Sequence, residues 1–258
     1  MSLLSVRDLA KAFGGVQAVR GVSFDVAERE IVALIGPNGA GKSTCFNALN
    51  GQLRPDRGSI RLTREGVARD IAGMRPREVW KLGVGRTFQI AATFGSMTVL
   101  ENVQMALLSR ERRLLAGWRP AREHFRDEAM ELLEAVGLRD QHDRPVGVLA
   151  YGQVKSVEIA IALANRPALL LMDEPTAGTA PGERHALMAL VRRLVAERGM
   201  AVLFTEHSMD VVFSFADRIL VLARGELIAQ GSVEEVRADP RVQQAYFGSG
   251  RTVPSGVL

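Results

Sequence analysis

The chain has little of several things that would commit it to a particular class. It has one cysteine, Cys45, in 258 residues, which excludes an internal disulfide framework and any cysteine-based metal cluster. Cys45 directly follows a Gly-Lys-Ser-Thr run and is expected to be a small buried helix residue. Long apolar runs are missing too: Ile31–Ile35 and Ala168–Met172 fall far short of the roughly 20 residues that span a bilayer. No helix is therefore expected to cross a membrane. The first residues carry charge from Arg7 onward and no apolar segment of the secretory kind, so a cytoplasmic location is expected. Neither sign of charge dominates. The 33 basic and 29 acidic side chains leave +4, well short of the concentrated basic stripe that nucleic-acid binding requires. The densest cationic cluster, Arg110–Arg126, is interleaved with acids and apolar residues; it reads as a solvated helix face, with attraction to anionic lipid headgroups as the alternative.

With 47% hydrophobic and 24% charged residues and a mean hydropathy of +0.05, the chain can bury a substantial core. Leu4, Val6 and Leu9, then Val19, Val22, Phe24 and Val26, are spaced for antiparallel strands around a Gly14-Gly15 turn. The run Glu30–Ile35 reads as a strand feeding a loop at Gly36, with a helix over Lys42–Asn50 and a short strand at Ser59–Leu62. Between about Gln89 and Leu149 the pattern is helical, as in Glu128–Val136 closed by Gly137, and suggests an insertion. Strands at Ala168–Met172, Ala201–Thr205, Ile219–Leu222 and Glu226–Ala229 then alternate with helices at Arg184–Glu197 and Met209–Phe215. Such alternation implies a parallel sheet, hence an α/β fold. Residues 249–258 lack periodicity and are expected to form a mobile tail.

Two motifs carry chemistry on their own. Gly36–Ser43 matches G-x-x-x-x-G-K-[ST] between a strand and a helix, the context of a phosphate-binding P-loop. Gly36, Gly39 and Gly41 let the backbone turn, so that successive N–H groups after Pro37, those of Asn38, Gly39, Ala40 and Gly41 among them, can point at phosphate oxygens. Lys42 can reach the β- and γ-phosphates, Ser43 offers a hydroxyl to Mg²⁺, and Thr44 supports the α-phosphate side. The second motif is LLLMDE. Asp173 ends an apolar strand, as a carboxylate that holds Mg²⁺ beside a P-loop should. Glu174 follows it and can polarise the water that attacks the γ-phosphate.

Between these motifs stands LAYGQ, Leu149–Gln153, opening an apolar helix. The order P-loop, short Gly-Gln element, strand ending in two carboxylates resembles the ATP-binding cassette (ABC) family. That resemblance implies a P-loop NTPase core with an N-terminal antiparallel β subdomain and a helical insertion at about 89–160, within a nucleotide-binding domain of residues 1–248. It also implies ATP and Mg²⁺ bound between two such domains facing head to tail. His207, after VLFTE, corresponds to the switch histidine; Glu206 beside it is expected to face solvent. Gln89 in GVGRTFQ matches the glutamine that reaches Mg²⁺ or water where the core meets the insertion. Phe13 stands where the family stacks an aromatic ring on adenine, the alternative being a strand core residue.

Ala150, Tyr151, Gly152 and Gln153 correspond to the signature motif, which closes over the partner's ATP through helix N-terminal amides. Two residues depart from the family pattern. The usual serine is Ala150, and the Asp or Asn of the loop that crosses to the partner is Ala180. A methyl cannot bond a γ-phosphate, so the composite site built with this signature is expected to be the slower one. GVGRTFQ, FGSMTVLENV, the tyrosine of LAYGQ and the end DPRVQQAYFG look like the ATPase subunits of branched-chain amino acid importers. The resemblance implies two transmembrane permeases, a second ATPase subunit and a periplasmic solute-binding protein, with this chain peripheral on the cytoplasmic face of the inner membrane and no nucleic-acid partner. Related systems carry urea, amides or aromatic acids. A soluble ABC ATPase acting on ribosomes or DNA, or a regulatory nucleotide binder, are the rival readings. One cassette, without coiled coil or zinc site, argues against the first, and intact Glu174 and His207 against the second.

Overall fold

A computed structural model describes residues 2–87, 93–111 and 125–247. Alternating side chains dictate its first layer. Strands β1 (Ser2–Phe13) and β2 (Val16–Ala27) pair antiparallel around Gly14 and Gly15, and β4 (Arg57–Arg64) and β5 (Val67–Asp70) extend them in the order β2-β1-β4-β5. One face of this sheet buries Leu4, Val6, Leu9, Val22, Phe24 and Ile60.

The second sheet has six strands in the order β10-β9-β3-β8-β7-β6: β3 (Ile31–Ile35), β6 (Val84–Thr87), β7 (Leu169–Asp173), β8 (Ala201–Thr205), β9 (Arg218–Ala223) and β10 (Glu226–Gly231). The first five in chain order pair in parallel, while β10 runs antiparallel to β9 at the edge. The expectation of a parallel sheet is corrected there. The turn at Arg224-Gly225 is too short for the crossover that a parallel neighbour needs. Strands buried on both faces read as continuous apolar runs, and here the alternation splits them between two cores. Ile31, Ala33 and Ile35, with Leu170, Met172, Val202 and Phe204, face the helical side. Val32, Leu34, Leu169, Leu171 and Leu203 face helix α1 (Lys42–Leu49) and the antiparallel sheet.

Helices α3 (Val99–Arg110), α4 (Arg126–Ala135) and α5 (Tyr151–Leu163) pack on one another, and α5 also meets β6 and helix α6 (Pro181–Arg198). Helix α3 starts on a capping box: the Thr98 hydroxyl accepts the Glu101 amide at 3.1 Å and the Glu101 carboxylate accepts the Thr98 amide at 2.8 Å. Helix α2 (Pro76–Lys81) precedes β6, α7 (Met209–Phe215) links β8 to β9, and α8 (Val233–Ala238) and α9 (Pro240–Phe247) close the described chain. Cys45 is fully buried in α1, and no described helix is long and apolar enough to cross a membrane.

Candidate nucleotide-binding and hydrolytic site

Open parallel sheets bind ligands beyond the carboxyl ends of their strands, and the motif residues gather there. Strand β3 delivers the P-loop, β7 delivers Asp173, and β8, lying between them, delivers Thr205, Glu206 and His207. Backbone freedom shapes the loop. At Gly36 φ is +155° and a Cβ would stand 2.2 Å from the Leu222 carbonyl oxygen; at Gly41 φ is +105° and a Cβ would stand 2.4 Å from that of Ala18. No side chain caps α1, whose N-terminal residue before the helix is Gly41. Its first amides are therefore left for an anion, with the helix dipole behind them. Asn38, Gly39 and Ser43 are exposed, Pro37 and Thr44 half-buried, and Ala40 is buried under the turn that its amide closes on Pro37.

Lys42 folds back over this loop. Its ammonium donates to the carbonyls of Gly36 at 2.7 Å and Pro37 at 3.2 Å. Burial holds its pKa below that of an ordinary lysine, and the Glu174 and Asp173 carboxylates pull it back up. Asp173 accepts the Thr205 hydroxyl at 2.8 Å on one oxygen and the Arg86 guanidinium at 3.2 Å on the other. A carboxylate has about four lone-pair positions, so both oxygens can still accept a bond.

Glu174 takes a left-handed backbone conformation, φ +48°, rare for a side chain with a Cβ. Its amide is held by the Thr205 carbonyl at 3.2 Å and hydroxyl at 3.1 Å. Strain of this kind persists only where the surroundings determine it, and it aims the side chain at β8. There Glu174 Oε1 lies 3.0 Å from His207 Nε2, with the imidazole half exposed.

Other expected residues fall elsewhere. Phe13, 51% exposed at the end of β1, is not a strand core residue; the Lys11 ammonium lies 5.6 Å from its ring centre. Gln89 and the tail 249–258 lie outside the described residues. Ala150 precedes α5 as its N-terminal cap position, and its amide donates to Gln153 Oε1 at 3.2 Å. The reciprocal bond of a capping box needs a hydroxyl that alanine lacks. Glu206 is a correction. It is 4% exposed rather than in solvent, because its carboxylate serves two loops at once. Arg86 and Glu206 are site residues that the sequence reading misses, since no local spacing marks either one. Among the described residues no cluster of three or more His, Cys, Asp or Glu could cage a metal by itself. A carboxylate and a hydroxyl beside a phosphate loop instead suit Mg²⁺, which keeps waters and shares phosphate oxygens.

Residues 19–177 match the family model described as ABC transporter. The chain belongs to the ABC transporter ATPase family. Residues 226–252 match a second model, described as branched-chain amino acid ATP-binding cassette transporter. The high-affinity branched-chain amino acid transport ATP-binding protein BraF of Pseudomonas aeruginosa is 41% identical over 256 residues, covering 95% of this chain and 98% of BraF. Among solved structures, the ADP conformation of the ATP-binding cassette MJ1267 superposes with a TM-score of 0.85 at 36% identity, covering 96% of this chain and 99% of that one. The dimeric bacterial ABC transporter cassette MJ0796 superposes at 0.73 with 27% identity, covering 89% and 98%. The architecture is thus that of an ABC ATPase, a P-loop cassette carrying an antiparallel sheet beside a mixed one.

Proposed function

We propose that this ABC ATPase binds and hydrolyses MgATP to drive import of branched-chain amino acids through separate permease subunits. The observation that carries the chemistry is the pair Glu174 and His207, 3.0 Å apart at the ends of adjacent strands beside the P-loop. The solute class is supported by likeness to BraF along nearly the whole chain and by the match of residues 226–252.

Each residue has a task it can perform from where it stands. The free amides at the start of α1 bind phosphate oxygens, and Lys42 exchanges its bonds to Gly36 and Pro37 for bonds to the β- and γ-phosphates. Ser43 and Asp173 would hold Mg²⁺, with Gln89 as a further ligand; the metal supplies positive charge to the transferring phosphoryl group. Glu174 takes the proton of the attacking water, and His207 keeps that carboxylate oriented while its ring reaches for the γ-phosphate. Phe13 stacks on adenine from its exposed position. Ala150–Gln153 cover the nucleotide of a second cassette, the arrangement for which the dimeric MJ0796 is the relevant likeness. The partners are then a second ATPase chain, two permeases and, through them, a periplasmic solute-binding protein, with this chain on the cytoplasmic face of the inner membrane.

Glu174→Gln keeps the shape of the site but removes the base. It should bind ATP, accumulate a closed dimer in size-exclusion chromatography and lose at least about 100-fold in turnover, as general-base removal does. Normal turnover in this variant would refute the assignment. Co-purification from membranes with permease subunits, and a binding screen on the associated solute-binding protein, test the transport reading and name the solute.

A further inference from the structure

Beneath the hydrolytic pair lies a third carboxylate that no step above uses. Glu206 Oε1 accepts the Thr176 amide at 2.9 Å and the Thr176 hydroxyl at 2.6 Å, while Oε2 accepts the His207 amide at 3.0 Å and the Ser208 amide at 3.4 Å. One oxygen serves the segment after β7, and the other serves the segment after β8. Among the described residues no cation pairs with Glu206, and it is buried. Burying a carboxylate for packing alone is expensive. Four donors converging on an acceptor-only group point to a geometric role.

We propose that Glu206 is a positioning residue, which locks His207 and the Thr176–Thr179 turn into one unit and so couples the hydrolytic pair to the surface facing the second cassette. This rests on Glu174 and His207 being that pair. The turn is stiff in its own right: the Thr179 hydroxyl donates to the Thr176 carbonyl at 2.7 Å, and Arg184 bonds both the Thr179 carbonyl at 3.3 Å and the Ser208 hydroxyl at 2.9 Å. Gly178, inside the turn, lies against the signature: a Cβ there would be 3.2 Å from Cε1 of Tyr151. The turn then runs into exposed Ala180, where α6 begins. Movement of His207 toward a γ-phosphate therefore pulls on Glu206, then on the turn, then on the residues that serve the partner's nucleotide.

Glu206→Gln in the full chain tests this. The amide keeps one oxygen but sets an NH₂ against the donors of one loop. Turnover should fall roughly 10- to 100-fold, as when a group that orients a reacting residue is lost, with ATP affinity unchanged. Combined with His207→Ala it should cost nothing further, because the two act as a unit. In the Glu174→Gln background, where turnover plays no part, it should weaken ATP-driven dimerisation. Where Glu206→Gln fails to fold, Thr176→Val removes only the hydroxyl donor and should lower turnover about fivefold, the scale of one hydrogen bond. Parental turnover in Glu206→Gln or Thr176→Val, with Glu174→Gln and His207→Ala impaired, would overturn the proposal and leave the hydrolytic pair standing. Losses that add to those of His207→Ala, with dimerisation intact, would overturn it in favour of a purely structural role. Full activity of Glu174→Gln would remove the assignment beneath both.

Discussion

Among the described residues, the guanidinium of Arg86 bonds Asp173 at 3.2 Å, Asn47 at 2.8 Å and Gln52 at 3.0 Å. Burial lowers its pKa and the Asp173 charge raises it again, and an arginine stays charged throughout. Arg86→Gln would leave Asp173 without its cation in the nucleotide-free protein. The expected cost is about 2 kcal/mol, less than for a fully enclosed pair, read from urea denaturation without ligand. Saturating MgATP should shrink the deficit, because the metal proposed to sit at Asp173 would then supply positive charge to the same carboxylate. An equal deficit with and without MgATP would show that Arg86 serves some other purpose. Residues of this kind were not legible from sequence, and the reason is physical. Lys42, Asp173 and Glu174 are marked by spacing within a few residues of chain, whereas Arg86 and Glu206 acquire their roles from partners on other elements. Glu206 even sits next to an expected site residue. Only the path of the Thr176 turn, folded against the end of β8, shows which way it points.

Among elements, the helical layer is tied at one corner by Glu128. It accepts Arg110, from the end of α3, through both oxygens at 2.8 and 2.9 Å, and Arg166, just beyond α5, at 3.1 Å. The bond to Arg110 first, and Arg166 after it, hold the Glu128 pKa below the ordinary 4.5 against the opposing effect of burial. A carboxylate with a depressed folded pKa contributes stability above its unfolded value and loses it as pH falls through the folded one. Glu128→Gln should therefore cost about 0.5–1 kcal/mol at neutral pH, the scale of a partly exposed ion pair. The difference from the parent should fade as pH drops below 4.5 in thermal melts at a series of pH values. A pH-independent difference would mean that packing, not charge, holds the corner. The sequence shows the long elements of this layer through their periodicity, and the sheet strands β3, β7, β8 and β9 through continuous apolar runs. It hides β5, whose four residues are all exposed, and α2, which has six residues and one buried side chain. Strand β6 escaped because a glycine and an arginine interrupt its apolar face.

Across the whole molecule, two neighbouring helices begin on exposed alanines. Ala150 and Ala180 precede α5 and α6, neither with a side-chain cap, at a position where Ser, Thr, Asp or Asn would each add about 1 kcal/mol. The two helix starts approach closely, since a Cβ on Gly152 would lie 3.3 Å from the Glu183 carboxylate. If Ala150–Gln153 and the loop ending at Ala180 serve a partner's nucleotide, as proposed, both losses fall on the same composite site. In an assembly with a different second ATPase chain, we expect that site to be the slower one. Disabling the partner's P-loop should then reduce turnover of the complex less than Lys42→Ala in this chain does. Ala150→Ser should raise single-turnover hydrolysis of the ATP held by the partner and also stabilise α5. The two effects separate in the measurement: a rise in melting temperature without a faster single turnover would mean that the hydroxyl only caps the helix. Equal turnover after disabling either P-loop would end the case for unequal sites.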